Sequence, residues 1–298
     1  MEDKVRFDIF MARTRSNSFI KPYLKWAGGK RQLLPEIKKF LPANLSGLRY
    51  FEPFVGAGAL FFELQPRRAV ISDNNEQLIL TYKVIRDDVE SLIAALNDHK
   101  NHNCESYFYN IRGLDRNKTS FAALSNVQKA ARLIYLNKTC YNGLYRVNAQ
   151  GLFNAPYGRY KNPDICSEPV LRSIQAYLNG AGAEIEIING DFENTVCGAE
   201  RDSFVYFDPP YHSPDNTNFT GYQANGFSET EQIRLCNVFA TLTEKGTRCL
   251  LSNSDTQFIR DLYKDKRYDI VTVKAKRAIN SDSAGRGDVN EVLVKNWR

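Results

Sequence analysis

The sequence predicts an α/β fold, a doubly wound and mainly parallel sheet into which a mainly helical domain is inserted. Three observations predict it. Short apolar runs at 48–52, 69–73, 184–188, 204–207 and 248–252 are followed by helical stretches, the alternation of a parallel sheet covered on both faces. Between the second and third runs, amphipathic patterns at 89–96, 126–136 and 170–178 read as helices, and no further sheet-type strand appears. The first turn after a strand carries two glycines, Gly56 and Gly58, as a ligand-cradling βα loop does. The catalytic part is therefore expected to be discontinuous, residues 20–85 plus 184–298, around an insert at 86–183 that carries a projecting hairpin.

Composition narrows the classes. The chain has 298 residues, long enough for two domains, with 43% apolar and 25% charged residues, near the globular average. No run reaches the roughly 18 apolar residues of a membrane-spanning helix, and no membrane partner is expected. The first 20 residues mix charges of both signs without an apolar core, so they read as a disordered lead-in rather than a signal peptide, and Met11 offers a second possible start. A net charge of +6 permits an anionic partner. Six scattered cysteines without a C-x-x-C pair read as reduced thiols in a cytoplasm. His99, His102 and Cys104 lie close together, but no second ligand pair stands at zinc-like spacing, so a solvated loop is expected and no metal.

Four stretches carry chemistry. Asp208-Pro209-Pro210-Tyr211 follows a run apolar on both faces, so Asp208 should sit at the C-terminal end of a buried strand, where open α/β sheets bind ligands. Two prolines could merely terminate the strand. The chemical alternative is acceptance of hydrogen bonds from an exocyclic amine by the Asp208 carboxylate and Pro209 carbonyl, which turns the nitrogen lone pair toward an electrophile. Rigid Pro209 and Pro210 would hold the carbonyl, and Tyr211 would stack on the flat base. Next, Phe54-Val55-Gly56-Ala57-Gly58 forms a nucleotide-type loop, and Asp73 ends the next strand, where a carboxylate can hold ribose hydroxyls. An ordinary tight turn beside a solvated acid is the plain alternative. Tyr23 and Lys25-Trp26-Ala27-Gly28-Gly29-Lys30 lead into a helix, and the glycine pattern is not a P-loop.

The fourth stretch, residues 138–161, holds four basic residues and no acid, interleaved with tyrosines and asparagines. Its turn signals predict a β-hairpin or projecting loop suited to nucleic acid, or else a solvated hairpin packed by its own aromatics. Lys274, Lys276, Arg277 and Arg286 around 281–285 could similarly lie along phosphates or face solvent.

K-W-A-G-G-K, F-E-P-F-V-G-A-G, S-D-N-N, G-D-F and D-P-P-Y, in this order from Tyr23 to about Trp297, resemble the α-class amino-methyltransferases and, within these, the Dam family. The resemblance implies a Rossmann-like methyltransferase sheet with an inserted target-recognition domain, S-adenosyl-L-methionine as cofactor, double-stranded DNA as partner, and methylation of adenine N6 within GATC after base flipping. It implies that Tyr23, Trp26, Ala27 and Lys30 contact the cofactor, that Phe54, Val55, Gly56, Ala57 and Gly58 cradle its methionine part, that Asp73 takes the ribose, and that Asp191 and Phe192 hold the adenine, with Asp208 touching cofactor and base. In the hairpin, Leu144 and Pro156 would meet a thymine methyl, and Arg146 a guanine. Tyr141 and Asn142 would fill the gap left by the flipped base, Tyr160 and Lys25 would support base readout, and Arg159 would meet phosphate. Tyr145 and Val147 stand at variable positions of that pattern. A monomer would suffice to methylate a palindrome one strand at a time.

Rival readings fit less well. A protein-glutamine or RNA methyltransferase would differ in the substrate domain, a dinucleotide oxidoreductase would need the missing glycine fingerprint, and a catalytically dead DNA-binding regulator would not keep the whole set.

Overall fold

The computed structural model describes residues 17–26, 30–213, 227–276 and 288–298. Most of the lead-in, the expected cofactor contact Ala27 with Gly28 and Gly29, and the basic loop from Arg277 to Arg286 lie outside the described residues.

The sheet has seven strands: β1 (Arg49–Glu52), β2 (Arg68–Asp73), β3 (Glu184–Asn189), β4 (Ser203–Phe207), β5 (Arg248–Ser254), β6 (Asp269–Lys276) and β7 (Asp288–Lys295). Their order is β3-β2-β1-β4-β5-β7-β6. The first five are mutually parallel, with Tyr50 opposite Ala69 on one side and Phe204 on the other. Strand β7 runs antiparallel to both β5 and β6, which closes that edge as a hairpin. Side chains alternate faces along each strand, and both faces are covered. Tyr50, Ala69, Ile71, Phe204, Tyr206 and Leu250 enter one core, while Phe51, Val70, Val205, Phe207, Cys249 and Leu251 enter the other. Burial on both sides is why these runs are continuously apolar.

Helices α1 (Leu34–Lys39), α2 (Ala59–Leu64), α3 (Glu76–Asp87), α4 (Val89–Asn101), α5 (Glu105–Gly113), α6 (Lys118–Ala122), α7 (Asn126–Thr139) and α8 (Glu168–Leu178) precede β3, and α9 (Phe192–Val196), α10 (Glu229–Glu244) and α11 (Gln257–Leu262) follow it. The expected amphipathic segments become α4, α7 and α8. Helix α7 starts at a capping box in which Ser125 and Gln128 satisfy each other's backbone N–H. It is buried along most of its length between α3 and α4. The helices between β2 and β3 bury their apolar faces in the same core as the sheet.

The stretch after α7 folds back as a projecting loop with two isolated antiparallel bridges, Cys140–Tyr157 and Val147–Phe153, rather than continuous strands. A buried ion pair roots it. Arg132 on α7, 1% exposed, bonds Asp115 at 2.8 Å and the carbonyls of Ile111 and Arg112 at 2.9 and 2.8 Å. Asp115 in turn accepts the Phe153 N–H at 2.9 Å and pairs with Arg116. The acid-free loop is thus anchored by an acid outside it.

Among the described residues no helix is long and apolar enough to cross a membrane.

Candidate active site

Residues Glu52, Asp73 and Phe207 end β1, β2 and β4 at the same side of the sheet, so the loops that follow them converge. After β1, the chain turns through Gly56 (φ +49°) and Gly58 (φ +72°), left-handed conformations that favour glycine. A Cβ on Gly58 would stand 2.8 Å from the Tyr82 hydroxyl, which itself donates to the Gly56 carbonyl at 2.9 Å. The Val55 N–H bonds the Ser72 carbonyl at 2.8 Å, tying the loop to β2. Asp73 accepts the Gly56 N–H at 3.1 Å and the Asn75 N–H at 2.9 Å. Burial pushes its carboxyl up to about 6 against these donors.

Beside this loop, Phe54 stacks on Phe192 with centroids 5.3 Å apart, and Phe227 closes edge-on at 5.7 Å from Phe54. Arg234 on α10 lies 4.1 Å from the Phe192 ring centre and clasps Asp191 through two bonds of 2.8 and 2.6 Å. That clasp holds the Asp191 carboxyl below the usual carboxylate range. Trp26 packs on the open side of Gly56, where a Cβ would meet its ring at 3.1 Å, and stacks on Tyr145 at 5.0 Å.

Asp208 follows β4. Its Oδ1 lies 3.0 Å from Lys30 Nζ, and beyond this ion contact that buried oxygen has no hydrogen-bond donor among the described residues. Burial raises the carboxyl to about 6, Lys30 pulls it back, and Glu291 on β7 pushes it further up. Lys30 also stands 4.1 Å above the Tyr211 ring, and the Tyr211 hydroxyl donates to Glu291 at 2.7 Å. Pro209 is buried and Pro210 half-buried. One half-buried cluster therefore holds a carboxylate, an ammonium and an aromatic ring whose edge is fixed.

The structure thus gathers Lys30, Asp208 and Tyr211 in one group, Asp73, Gly56 and Trp26 in a second, and Phe54, Asp191 and Phe192 in a third. Ala57 is half-buried in the same loop. Tyr23 stands apart: its side chain is in the core, with its hydroxyl on Thr81 at 2.6 Å.

In the projecting loop, Asn137 on α7 receives the Lys25 N–H at 2.9 Å and donates to the Lys25 and Gly143 carbonyls at 2.7 and 2.9 Å. Lys25 lies so close to Gly143 (φ +65°) that a Cβ there would collide with its side chain. Its ammonium stands 5.2 Å from the Tyr160 ring centre. Tyr141, 57% exposed, and Asn142 (φ +57°) form a turn at the loop's base, directly after α7; Leu144 is half-buried and Pro156 exposed. Arg146 is exposed and oriented by Asn154 through a 2.8 Å bond, and exposed Arg159 (φ +52°) pairs with Glu105 at 3.3 Å. Tyr145 is not an idle position: it is 6% exposed, packed between Trp26 and Phe153. His99 bonds Tyr107 and His102 pairs with Asp98, and among the described residues no group of three or more His, Cys, Asp or Glu could hold a metal ion.

Sequence reasoning missed Glu291, Arg234, Phe227, Asn137 and the Asp115–Arg132 anchor. Each is an ordinary residue type contributed from a distant segment.

Comparison with known proteins finds relatives that match over nearly the whole chain. The Type II methyltransferase M1.LlaDCHI of Lactococcus lactis subsp. cremoris is 43% identical over 279 residues, covering 93% of this chain and 96% of that protein. The Type II methyltransferase M.MjaIII of Methanocaldococcus jannaschii is 41% identical over 296 residues, covering 93% and 99%. The DNA adenine methylase of Escherichia coli strain K12 is 34% identical over 277 residues, covering 92% and 94%. The model of D12 class N6 adenine-specific DNA methyltransferases matches residues 26–279, and the chain belongs to that family.

Proposed function

We propose that this N6-adenine DNA methyltransferase takes its methyl group from S-adenosyl-L-methionine and places it on adenine flipped out of duplex DNA, within GATC. The observation that carries the reading is the half-buried Asp208, whose buried Oδ1 lacks a donor beyond its ion contact with Lys30, beside an aromatic ring held in place by Glu291.

The residues present fit the cofactor. Gly56 and Gly58 leave backbone open to close approach, and Asp73 already accepts two N–H groups and can take ribose hydroxyls with its remaining lone pairs. Phe54, Phe192 and Asp191 would hold an adenine, Trp26 and Lys30 would line the methionine end with Val55 and Ala57, and the backbone around Tyr23 would complete that wall. Bound there, the cofactor supplies an electrophilic sulfonium methyl.

The chain's own groups do the rest. Tyr211 stacks on the extruded base, and its hydroxyl bond to Glu291 fixes the ring plane. Asp208 and the Pro209 carbonyl accept hydrogen bonds from the adenine amine, drawing its lone pair out of conjugation and toward the methyl. The nitrogen would gain the methyl as the carbon–sulfur bond breaks and its pair stays on sulfur, and would then lose a proton, which a carboxylate near pKa 6 can accept and release to solvent. Lys30 keeps that carboxylate ionised before the amine arrives.

Residues 86–183 act as the target-recognition domain. Arg146, Leu144, Pro156, Tyr160 and Lys25 read bases, Tyr141 and Asn142 occupy the space of the flipped adenine, and Arg159 exchanges Glu105 for a phosphate. The exposure of Tyr141, Asn142, Arg146 and Arg159 supports this use of the loop.

Incubation with labelled S-adenosylmethionine and duplexes carrying GATC or single-base variants of it tests the reading, alongside Asp208→Ala. Label should enter adenine of the GATC duplex alone, and Asp208→Ala should abolish incorporation while melting as the parent does. Near-parent turnover in that variant removes Asp208 from the mechanism.

A further inference from the structure

Two successive prolines at a strand end create a structural difficulty. Pro209 and Pro210 have no N–H, so the turn that carries the reacting groups cannot be held by its own backbone donors. The first two N–H groups after it belong to Tyr211 and His212. A buried amide relay supplies what the turn lacks. Gln232 on α10 donates through Nε2 to the Pro210 carbonyl at 2.9 Å. Its Oε1 accepts from Asn253 Nδ2 on β5 at 3.0 Å. Asn253 Oδ1 accepts the His212 N–H at 3.1 Å and the Ser254 N–H at 2.9 Å. Both amide side chains are 0% exposed. The Ser254 hydroxyl completes the grip by donating to the His212 carbonyl at 2.6 Å.

We infer that Gln232 and Asn253 are positioning residues that clamp the peptide groups on either side of Tyr211, setting where the Pro209 carbonyl and the Tyr211 ring meet the target base. Neither is among the residues that contact cofactor or DNA in the reading above. The inference rests on that reading, since it assigns Asp208-Pro209-Pro210-Tyr211 to the reacting amine. The relay has a direction. Asn253 spends its oxygen on two backbone N–H groups, so its nitrogen must face Gln232. Gln232 must then present its oxygen to Asn253 and its nitrogen to Pro210. His212 is riveted independently, with its ring on Phe258 at 4.6 Å and Nδ1 on Thr256 at 3.0 Å, so loss of the relay should loosen the Pro210 side of the turn first.

Two variants separate positioning from bulk structure. Gln232→Met keeps length and burial but removes both bonds. Asn253→Asp is isosteric and keeps the two acceptances, but as a carboxylate it has no donor for Gln232. The Gln232 amide should then flip its nitrogen toward Asp and leave an oxygen facing the Pro210 carbonyl. Misplacement of reacting groups by about 1 Å costs on the order of 100-fold in rate. In both variants kcat for methyl transfer to a GATC duplex should fall by about 10- to 100-fold. S-adenosylmethionine and duplex affinities, read by calorimetry, should stay within about twofold of the parent, because those contacts are made elsewhere. If Gln232→Met does not melt cooperatively, Asn253→Asp carries the test. A folded variant with kcat within about threefold of the parent overturns the inference. A kcat loss matched by equal losses in both affinities also overturns it, because it marks a general structural role. A parent enzyme that fails to methylate any duplex defeats the reading of the site instead.

Discussion

Lys30 should set the pH at which the enzyme loses activity, and removing its charge tests this directly. Asp208 must be ionised to be purely an acceptor for the amine N–H that the Pro209 carbonyl does not take, and to accept its proton after methyl transfer. Burial raises its carboxyl to about 6, with Lys30 at 3.0 Å opposing that rise. For the parent, kcat/KM for DNA should therefore fall about tenfold per pH unit below about pH 6, since this constant reports groups of the free enzyme. The sign for Lys30→Met is fixed: loss of a neighbouring cation disfavours the carboxylate, so the acid limb moves to higher pH. An opposite charge at this range typically accounts for about 1–3 units, so the midpoint should reach about 7–9. A shift of about two units leaves roughly a quarter of Asp208 ionised at about pH 7.5, a fourfold loss that is recovered near pH 9. Lys30→Arg keeps the charge and should keep the limb near the parent's. Labelled-methyl incorporation at saturating cofactor, measured in steps from about pH 5 to about pH 9.5, gives the profiles. A Lys30→Met profile scaled down at every pH, with its midpoint unmoved or lower, refutes the role assigned to Lys30 and leaves it only a binding contact.

Asp73→Ala removes the acceptor of the Gly56 and Asn75 N–H groups and the proposed ribose ligand. Calorimetry should show S-adenosylmethionine binding weakened far more than DNA binding, and unchanged cofactor affinity would take Asp73 out of the site. Arg146→Ala should relax preference at one guanine-containing pair of GATC by about 1–3 kcal/mol, whereas Arg159→Ala should weaken binding to all sequences and flatten its salt dependence. Rates on duplexes with each single substitution decide between them, and equal loss on every duplex for Arg146→Ala makes that residue an anchor rather than a reader. Asp115→Ala leaves the 1%-exposed Arg132 guanidinium without its carboxylate and the Phe153 N–H without an acceptor. Urea unfolding should show a loss of about 3–5 kcal/mol, and a loss below about 1 would mean the pair does not root the loop.

The parts of the fold legible in the sequence are those buried from both sides. Strands β1, β2, β4 and β5 are packed on two faces, and their residues had to be apolar at consecutive positions, which is a signal no surface segment imitates. Strands β6 and β7 were not anticipated, because they form the sheet's far edge. Lys274 and Glu291 interrupt their runs, and in β7 Val292, Leu293 and Val294 are fully buried. Lys274 lies on β6, the edge strand, where a charge guards against pairing with other chains and also hides the strand from a reading by pattern, whereas Glu291 on β7 interrupts its run to meet Tyr211. Over 138–161 the expected hairpin is a returning loop without continuous strands. Its two isolated bridges are held by side chains of α7 and Asp115, which local turn signals do not encode.

Within the site, contiguity decided what could be read. Asp208 to Tyr211, Phe54 to Gly58 and Lys25 to Lys30 each place several chemically telling residues side by side, so a short window reveals them. Glu291, Arg234 and Asn137 act on Tyr211, Asp191 and Lys25 across sequence separations of 43 to 112, and nothing in a short window marks them. Gln232 was different, since its signal was present. Helix α10 buries Gln232, Leu235, Phe239 and Leu242, a stripe at helical spacing in which one member is an amide. A glutamine on an apolar stripe needs both a donor and an acceptor partner inside the core. On β5, the run Leu250-Leu251 passes into Ser252-Asn253 with no gain in exposure, so the partners stand at the strand end nearest Asp208. Two polar residues that break a buried pattern at the same end of adjacent elements point to each other and to the turn between them.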